Sequence, residues 1–435
     1  MFSRHPRRYD MVKKISRRKF LALISTGAIS TWIGITHLRD QLVHGQSSSF
    51  DTFIPIILKP NQPTVTPTPS PPPTPTSTPK VTQPPPASAR VVHVRHTSVT
   101  NWTGSPYAYW NYVNQTKVNL MVEQGLKTLT GQSNLVNAWQ VLLPNYVQGE
   151  GIAIKVNFNN AMQMACGNET GQINALPQLV IALIGGLKAR GVAESDIKIY
   201  DGVNRIFPLY FINAIHSQYP NVQLFHACAD DSHKVTYNSS NPSATVQFSP
   251  PSGVPSPAPQ KIADVLVNAT YLINIPIMKN HSCAGITLAF KNHFGTISNP
   301  GGVHSHVFFI DGCGGGVYSN YSPLVDIYKN SNIRNKTILT VGDGIFGCLG
   351  SEDGYPSFWI NTFGQGEFPK SLFFSRDPVA IDSVMADFLR AEYGYFDGSD
   401  KYLQFAQDAG LGTYERGDPW GSGYSRIDYQ KIVLS

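Results

Sequence analysis

The hydrophobic pattern in the central part of the chain predicts alternating strands and helices. Residues 151–158 place apolar side chains on one face and Lys155 and Asn157 on the other, which is the period of a half-buried strand. Residues 176–190 carry an apolar stripe at helical spacing behind Pro177, and residues 196–200 form a second apolar run. Together the three segments predict a β-α-β unit with parallel strands.

The same alternation continues beyond this unit. The further predicted elements are a helix at 207–218, a strand at 222–227, a surface loop at 239–259, a strand at 271–278, a helix at 284–294, strands at 337–341 and 371–374, and a helix at 378–393. Residues 90–435 are therefore predicted to be α/β, with a mostly parallel sheet flanked by helices, in one large domain or two intimate lobes.

Charged side chains recur where the predicted strands end. They are Lys155, Asp201, Lys279, Asp343 and Asp377. In open parallel sheets, ligands bind at the edge formed by the carboxyl ends of the strands. We therefore expect a binding site at this edge.

Residues 274–306 concentrate Lys and His in a mostly apolar run that contains no Asp or Glu. A buried cation is costly unless a negative group or a metal meets it. We predict that Lys279 and Lys291 bind a small carboxylate or phosphate compound as point charges, and that His281 is the general acid or base. The alternative is that both lysines are solvated surface residues.

Four neighbouring residues are predicted to help bind the substrate. Lys155 and Asn157 lie near the end of a predicted strand, Thr287 precedes Lys291 by one turn of the predicted helix 284–294, and Asn292 follows Lys291 directly.

The His304-Ser305-His306 sequence suggests a metal site. If these residues begin a strand, both imidazoles point to one face and suit one divalent metal. Asp343 or Asp201 would then supply a third ligand. The alternative is a pair of hydrogen-bonded or exposed histidines.

Two carboxylates lie near the start of the predicted helix 378–393. Asp377, followed by Pro378, is typical of a helix N-cap, and a role in the chemistry is the alternative. Asp382 falls in the second turn, where an inward-facing carboxylate would neutralise a lysine of the site.

The N-terminal segment predicts export. Residues 16–21 read SRRKFL, which resembles the twin-arginine motif, and the 16-residue apolar run behind it is shorter than the roughly 20 residues of a membrane helix. Residues 1–46 are thus predicted to be a twin-arginine-type signal or an anchor, with an ordinary secretory signal as the alternative. Residues 47–89 are a Pro/Thr-rich linker, which indicates a domain tethered at the cell surface, in the periplasm or outside the cell.

Charge and cysteine content exclude two classes of function. Residues 1–89 hold 11 of the 34 Lys and Arg but only 3 of the 28 Asp and Glu. The net positive charge of the chain, +6, therefore comes from this N-terminal segment. The body is nearly neutral, which argues against nucleic-acid binding. The five cysteines include no C-x-x-C pair, so no cysteine-ligated iron–sulfur cluster is expected, while the disulfide pairing stays open.

Several motifs, in order, resemble the domain-of-unknown-function family 362. They are IKVN at 154–157, INIPIMKNH at 273–281, TLAFKNHFG at 287–295, GDGIFGCLG at 342–350 and DPVAID at 377–382. The resemblance spans residues 151 to 412. It implies that the signature polar positions are Lys155, Lys279, His281, Lys291, Asn292, one of His304 and His306, Asp343 and Asp382. Many relatives carry ferredoxin-like cysteine runs, which this chain does not have.

Three functions follow as hypotheses. The first is an exported enzyme, acting by acid–base chemistry or as a metal-assisted hydrolase or lyase on a small anionic compound. The second is a non-catalytic surface module that captures an anionic ligand or partner, which the linker favours. The third is an electron-transfer accessory, which the scattered cysteines disfavour.

Overall fold

The computed structural model of this chain contains a ten-stranded mixed sheet, against which the helices pack. The structure describes residues 89–159, 166, 169, 171–202, 204–281, 284–307, 320–349, 354–394 and 397–435, without the side chains of 397 and 398. The predicted signal at 1–46 and the predicted linker up to residue 88 lie outside these residues. The described strands are β1 (Arg90–His96), β2 (Ile152–Lys155), β3 (Ile197–Tyr200), β4 (Gln223–Phe225), β5 (Thr245–Val246), β6 (Gln260–Lys261), β7 (Tyr271–Asn274), β8 (Ile277–His281), β9 (Gly285–Thr287), β10 (Thr337–Cys348), β11 (Ser371–Ser375) and β12 (Asp428–Leu434).

The centre of the sheet is parallel, as predicted. Strands β10, β7, β2, β3 and β4 lie side by side in that order, and each neighbouring pair is parallel. Strand β11 is antiparallel to both β10 and β1, and β12 is parallel to β1. Because β11 runs against its neighbours, Asp377 behind it lies at the edge opposite to the one predicted. The prediction that Asp377 joins the ligand-binding edge is therefore wrong.

Helices cover both faces of this sheet. The described α-helices are α1 (Gln115–Thr130), α2 (Leu135–Leu142), α3 (Pro177–Ala189), α4 (Leu209–His216), α5 (Asp264–Val267), α6 (Ala289–Asn292), α7 (Pro300–His304), α8 (Pro323–Lys329), α9 (Ser331–Arg334), α10 (Pro378–Tyr393) and α11 (Asp397–Asp408). Short 3₁₀ turns lie at Tyr109–Tyr112, Glu194–Asp196, Pro242–Ala244 and His293–Thr296. No helix among the described residues has the length and apolarity needed to cross a membrane.

The alternation of side chains along each strand divides the interior into two cores. Ile152 and Ile154 of β2 pack in one core with α1, α2, α3 and α4, while Ala153 packs in the other. Phe374 and Phe373 of β11 divide in the same way. Successive residues of a strand point to opposite faces, so each buried strand serves both cores.

Residues 271–294 differ from the prediction in two places. The single strand predicted at 271–278 is two strands, β7 and β8, separated by Ile275 and Pro276, and both pair in parallel with β10. The helix predicted at 284–294 is wrong in its first half, which forms β9 antiparallel to β8. Gly285 takes a φ of 80°, a left-handed value that suits glycine and not a helix.

Candidate functional site

A cavity of about 320 Å³ lies beyond the carboxyl ends of β2, β3 and β8. This is the edge at which the sequence predicts a site. Among the residues that line it are eight of the predicted ones, namely Asn157, Asp201, Lys279, His281, Thr287, Lys291, Asn292 and His304. The segments that carry them are far apart in sequence, so the sheet brings the site together.

Lys279 and His281 enter the cavity from strand β8. Their spacing of two residues puts both side chains on one face of the strand, and both are buried. Lys279 Nζ donates a 2.6 Å hydrogen bond to Oδ1 of Asn159. Thr287 of β9 lies directly opposite Lys279, so Thr287 reaches the cavity from a strand and not from the predicted helix.

Lys291 enters from helix α6, which Asp382 holds in place. The carboxylate of Asp382 accepts hydrogen bonds from the backbone N–H groups of Ala289 (2.8 Å) and Phe290 (3.3 Å), at the first turn of this helix. Asp382 therefore contacts backbone donors, and the prediction that it neutralises a lysine is wrong. Asp382 positions the segment that carries Lys291.

His304, at the end of helix α7, contacts Lys291. Lys291 Nζ is 3.1 Å from Nε2 of His304 and 3.6 Å from the ring centroid of Phe294. The ring of His304 stacks on that of His281 with the centroids 5.5 Å apart. One ammonium and two imidazoles thus share a small, largely buried volume.

The floor of the cavity is a buried ion pair. Lys155 Nζ donates to Oδ1 of Asp201 (2.8 Å), to the carbonyl of Val156 (2.6 Å) and to Oδ1 of Asn292 (3.1 Å). These three bonds use all three ammonium protons, so in this structure Lys155 supports the cavity lining and has no proton left for the predicted substrate contact. A side chain at Gly295 would overlap both Asp201 and Lys155, which shows how closely the backbone covers the pair.

The two predicted asparagines are also part of this wall. Asn157 Nδ2 donates to Oδ1 of Asn292 (3.1 Å), and Asn292 Nδ2 donates to Oδ1 of Asn274 (2.7 Å). The buried Oδ1 of Asn157 has no hydrogen-bond partner within the described part of the chain.

Positive charge dominates the cavity. Of the described residues that line it, Asp201 alone carries a carboxylate, and that carboxylate is paired with Lys155. Burial, reinforced by the charges of Lys291, His304 and Lys279, lowers the pKa of His281 well below its ordinary value. Burial also lowers the pKa of Lys155, against the opposing effect of Asp201. At neutral pH His281 is therefore an uncharged imidazole.

The tautomer of His281 follows from one contact. The backbone N–H of Ala284 donates to Nδ1 of His281 at 3.2 Å, and a backbone N–H is always a donor. The neutral ring therefore carries its proton on Nε2. In this state His281 can donate a hydrogen bond from Nε2 to an oxygen that gains charge.

The predicted metal ligands do not come together. Residues 300–304 form helix α7 and not the start of a strand, so the two imidazoles do not share a face. His306 bonds through Nδ1 to the carbonyl of Pro255, and Asp343 is buried beside Tyr109 and Phe346. Nowhere in the described ranges do three or more His, Cys, Asp or Glu residues converge as metal ligands.

Two other carboxylates have structural partners. Asp377 caps helix α10, because Oδ1 accepts from the N–H groups of Val379 and Ala380, both at 2.9 Å, and Oδ2 accepts from Thr413. Burial raises the pKa of Asp343 to about 7, and one of its oxygens accepts from the N–H of Ile345.

The sequence patterns did not single out several residues of the cavity, among them Asn159 and Arg205. Both line it, and Arg205 Nη1 donates to the carbonyl of Asn159 at 3.0 Å. Each follows a parallel strand by four or five residues, β2 and β3 respectively. Their positions just beyond strand ends could have identified them, although both lie outside the Lys- and His-rich run at 274–306.

A disulfide joins Cys166 to Cys228, with the Cα atoms 5.7 Å apart and 62 residues of sequence separation. The sequence left this pairing open. Cys348 is a buried thiol in β10, and Cys283 and Cys313 lie outside the described residues.

Comparison with known proteins gives a family and distant structural likenesses. The family model described as Domain of unknown function (DUF362) matches residues 152–387. A crystal structure of a protein from Thermotoga maritima is similar at 12% identity with a TM-score of 0.33, over 68% of this chain and 59% of that chain. No curated protein matches the sequence.

Proposed function

We propose that this chain, which belongs to the DUF362 family, is an exported enzyme that binds a small carboxylate or phosphate compound in the cavity beyond β2, β3 and β8. One observation carries the proposal. Lys279, Lys291 and Arg205 line this cavity together with His281 and His304, so its described lining is rich in basic side chains. Cations in a partly desolvated cavity repel one another, and a bound anion relieves that repulsion.

His281 supplies the chemical role. Its neutral ring presents an Nε2–H donor beside two lysines, which suits stabilisation of an oxygen that becomes negative in the transition state. This is the role of a hydrogen-bond donor, in place of the predicted proton transfer, because an uncharged imidazole is a very weak acid. Removing one donor of this kind typically costs about 10²–10³-fold in rate.

Export is supported by two features. The SRRKFL sequence at 16–21 is the first, and the Cys166–Cys228 disulfide is the second, because disulfides persist mainly in oxidising compartments. The Pro/Thr-rich segment would tether the domain at the cell surface.

Thermal melting with added anions tests the binding half of the proposal. Saturating inorganic phosphate or succinate should raise the melting temperature of the exported wild-type protein, by linkage worth about 2.7 kcal/mol at 100 times Kd. Lys279→Met and Lys291→Met should lose this effect while changing the free energy of unfolding without anion by less than about 1 kcal/mol. The matched control is Lys234→Met, since Lys234 is exposed and pairs with Asp231. If anions leave the wild type unchanged and both variants lose several kcal/mol, the lysines are structural and the proposal fails.

Measuring the conversion of bound compounds distinguishes an enzyme from a non-catalytic module that only captures its ligand. A panel of carboxylic acids and phosphate esters that raise the melting temperature should include one that the wild type converts. His281→Gln should still bind that compound and should lose most of the conversion. Binding without conversion of any compound would favour the capture module.

A further inference from the structure

The Cys166–Cys228 disulfide joins two loops that border the cavity. Cys166 belongs to the segment between β2 and α3, which also supplies Asn159 to the cavity lining. Cys228 lies just beyond β4. Strand β3 lies between β2 and β4, and the loop behind it supplies Arg205 to the lining. The disulfide therefore connects the loops on either side of the one that carries Arg205.

Hydrogen bonds connect the Cys228 loop to the cavity lining. The backbone N–H of Ala227 donates to the carbonyl of Arg205 at 2.8 Å, and Arg205 Nη1 donates to the carbonyl of Asn159 at 3.0 Å. The chain from Asn159 to Cys166 and the disulfide complete a closed ring that passes through both lining residues. The disulfide is the one covalent link of this ring that opens and re-forms without cleavage of the backbone.

Noncovalent contacts hold the same loops together beneath the disulfide. His226 Nδ1 accepts from the backbone N–H groups of Cys228 and Phe207, both at 3.3 Å. The ring of His226 stacks on Phe207 with the centroids 4.8 Å apart, and Phe207 packs against Phe158, a buried residue of the cavity lining, at 4.7 Å. Because this cluster is buried, we expect the loops to stay folded when the disulfide opens and only the contacts nearer the surface to loosen.

The disulfide is accessible to thiols. Cys166 is exposed and Cys228 is half-buried, and exchange requires that a thiolate reach a disulfide sulfur. An external thiolate attacks Sγ of Cys166, forms a mixed disulfide and releases Cys228 as a thiolate. A second external thiolate attacks the external sulfur of the mixed disulfide and releases Cys166. Two external thiols thus become one disulfide, and their protons pass to the two cysteines. The reverse reaction, with a small disulfide as the oxidant, closes the bridge.

We infer that the Cys166–Cys228 disulfide controls the cavity: the closed bridge holds Arg205 and Asn159 in the lining, and reduction loosens both and weakens ligand binding. The inference rests on the proposed anion-binding function and adds its regulation. Disulfides persist in oxidising compartments and are rare in the reducing cytosol. The cavity lining is therefore fully held in place only where the exported protein works.

Hydrogen exchange and calorimetry of the exported protein, with and without dithiothreitol, test this inference. Reduction should speed amide exchange about tenfold or more at Ala227 and Asn159, whose N–H groups bond within the two loops, and should leave β1 and β11 unchanged. Succinate and inorganic phosphate should bind the reduced protein about tenfold or more weakly than the oxidised protein. Dithiothreitol is uncharged, so it does not compete with these anions.

The double variant Cys166→Ser/Cys228→Ser is the matched control. It should behave like the reduced wild type both with and without dithiothreitol, which separates this disulfide from the other three cysteines of the chain. The comparison of oxidised and reduced wild type stands without the variant, because it starts from folded, exported protein. Equal exchange rates in the two states would overturn the inference. Equal anion affinity in the two states would also overturn it, while leaving the proposed function standing. If neither state binds succinate or phosphate, the proposed function fails and the control of binding fails with it.

Discussion

Lys155 Nζ lies 2.8 Å from Oδ1 of Asp201, and both side chains are buried beneath the cavity. Because of this ion pair, Lys155 differs from the other two lysines predicted for the site, Lys279 and Lys291. Lys155 is neutralised by Asp201 and saturated with acceptors, while Lys279 and Lys291 face a cavity that has no other carboxylate among its described lining residues. The proposed anion-binding role is therefore assigned to Lys279 and Lys291.

Replacing Lys155 with Met should destabilise the protein strongly. The substitution leaves Asp201 buried without its counter-charge, which typically costs about 3–5 kcal/mol. Urea unfolding followed by circular dichroism measures this free energy. The matched control is Lys188→Met, because Lys188 pairs with Glu194 through a side chain that is 39% exposed, and it should cost less than about 1 kcal/mol. Equal costs for the two variants would contradict the structural role of Lys155.

The stability of the protein should fall in acid partly because of His281. Its pKa in the folded state is well below the unfolded value of about 6.5, so the unfolded chain binds more protons below that pH. The contribution of His281 is constant above about pH 6.5 and declines by up to about 1.4 kcal/mol per pH unit below it. The free energy of unfolding of His281→Gln should therefore decline less steeply between pH 6.5 and 5. Parallel profiles would mean that His281 titrates alike in both states.

Asp382 should have the opposite pH dependence. Burial raises its folded-state pKa to about 8, in spite of the N–H donors of Ala289 and Phe290, whereas the unfolded value is about 4. The folded state therefore holds the proton more tightly, and this contribution to stability is lost as the pH rises toward 8. The stability advantage of wild type over Asp382→Asn should shrink from pH 5 to pH 8 in urea titrations. An advantage that grows with pH would identify Asp382 as an ionised cap.

Export should depend on the arginine pair of the leader. Replacing Arg17 and Arg18 with Lys should retain the protein inside the cell with its body folded, because the twin-arginine route reads this pair. Fractionation and immunoblotting, with Arg4→Lys as the control for a basic residue outside the motif, measure the distribution. Normal export of the double variant would remove the twin-arginine interpretation.

Local sequence patterns predicted the elements that build the site. The β-α-β unit at 151–200, the helix at 378–393 with Asp377 as its cap, and the concentration of Lys and His at 274–306 all follow from periodicity, capping residues and side-chain chemistry. The parallel direction of the central strands follows as well, because a helix between two strands favours a parallel pair.

Only the tertiary structure showed the direction of strand β11 and the contacts of the buried lysines. Residues 371–375 are equally apolar whichever way the strand runs, so only pairing with β10 and β1 showed that Asp377 lies at the far edge. Likewise, Lys155, Lys279 and Lys291 look alike in sequence, yet Asp201 neutralises the first and Asn159, from another loop, contacts the second. Periodicity records which side of an element is buried, whereas the charge and hydrogen bonding of a buried cation depend on residues tens to hundreds of positions away. Those long-range contacts arise only when the sheet forms.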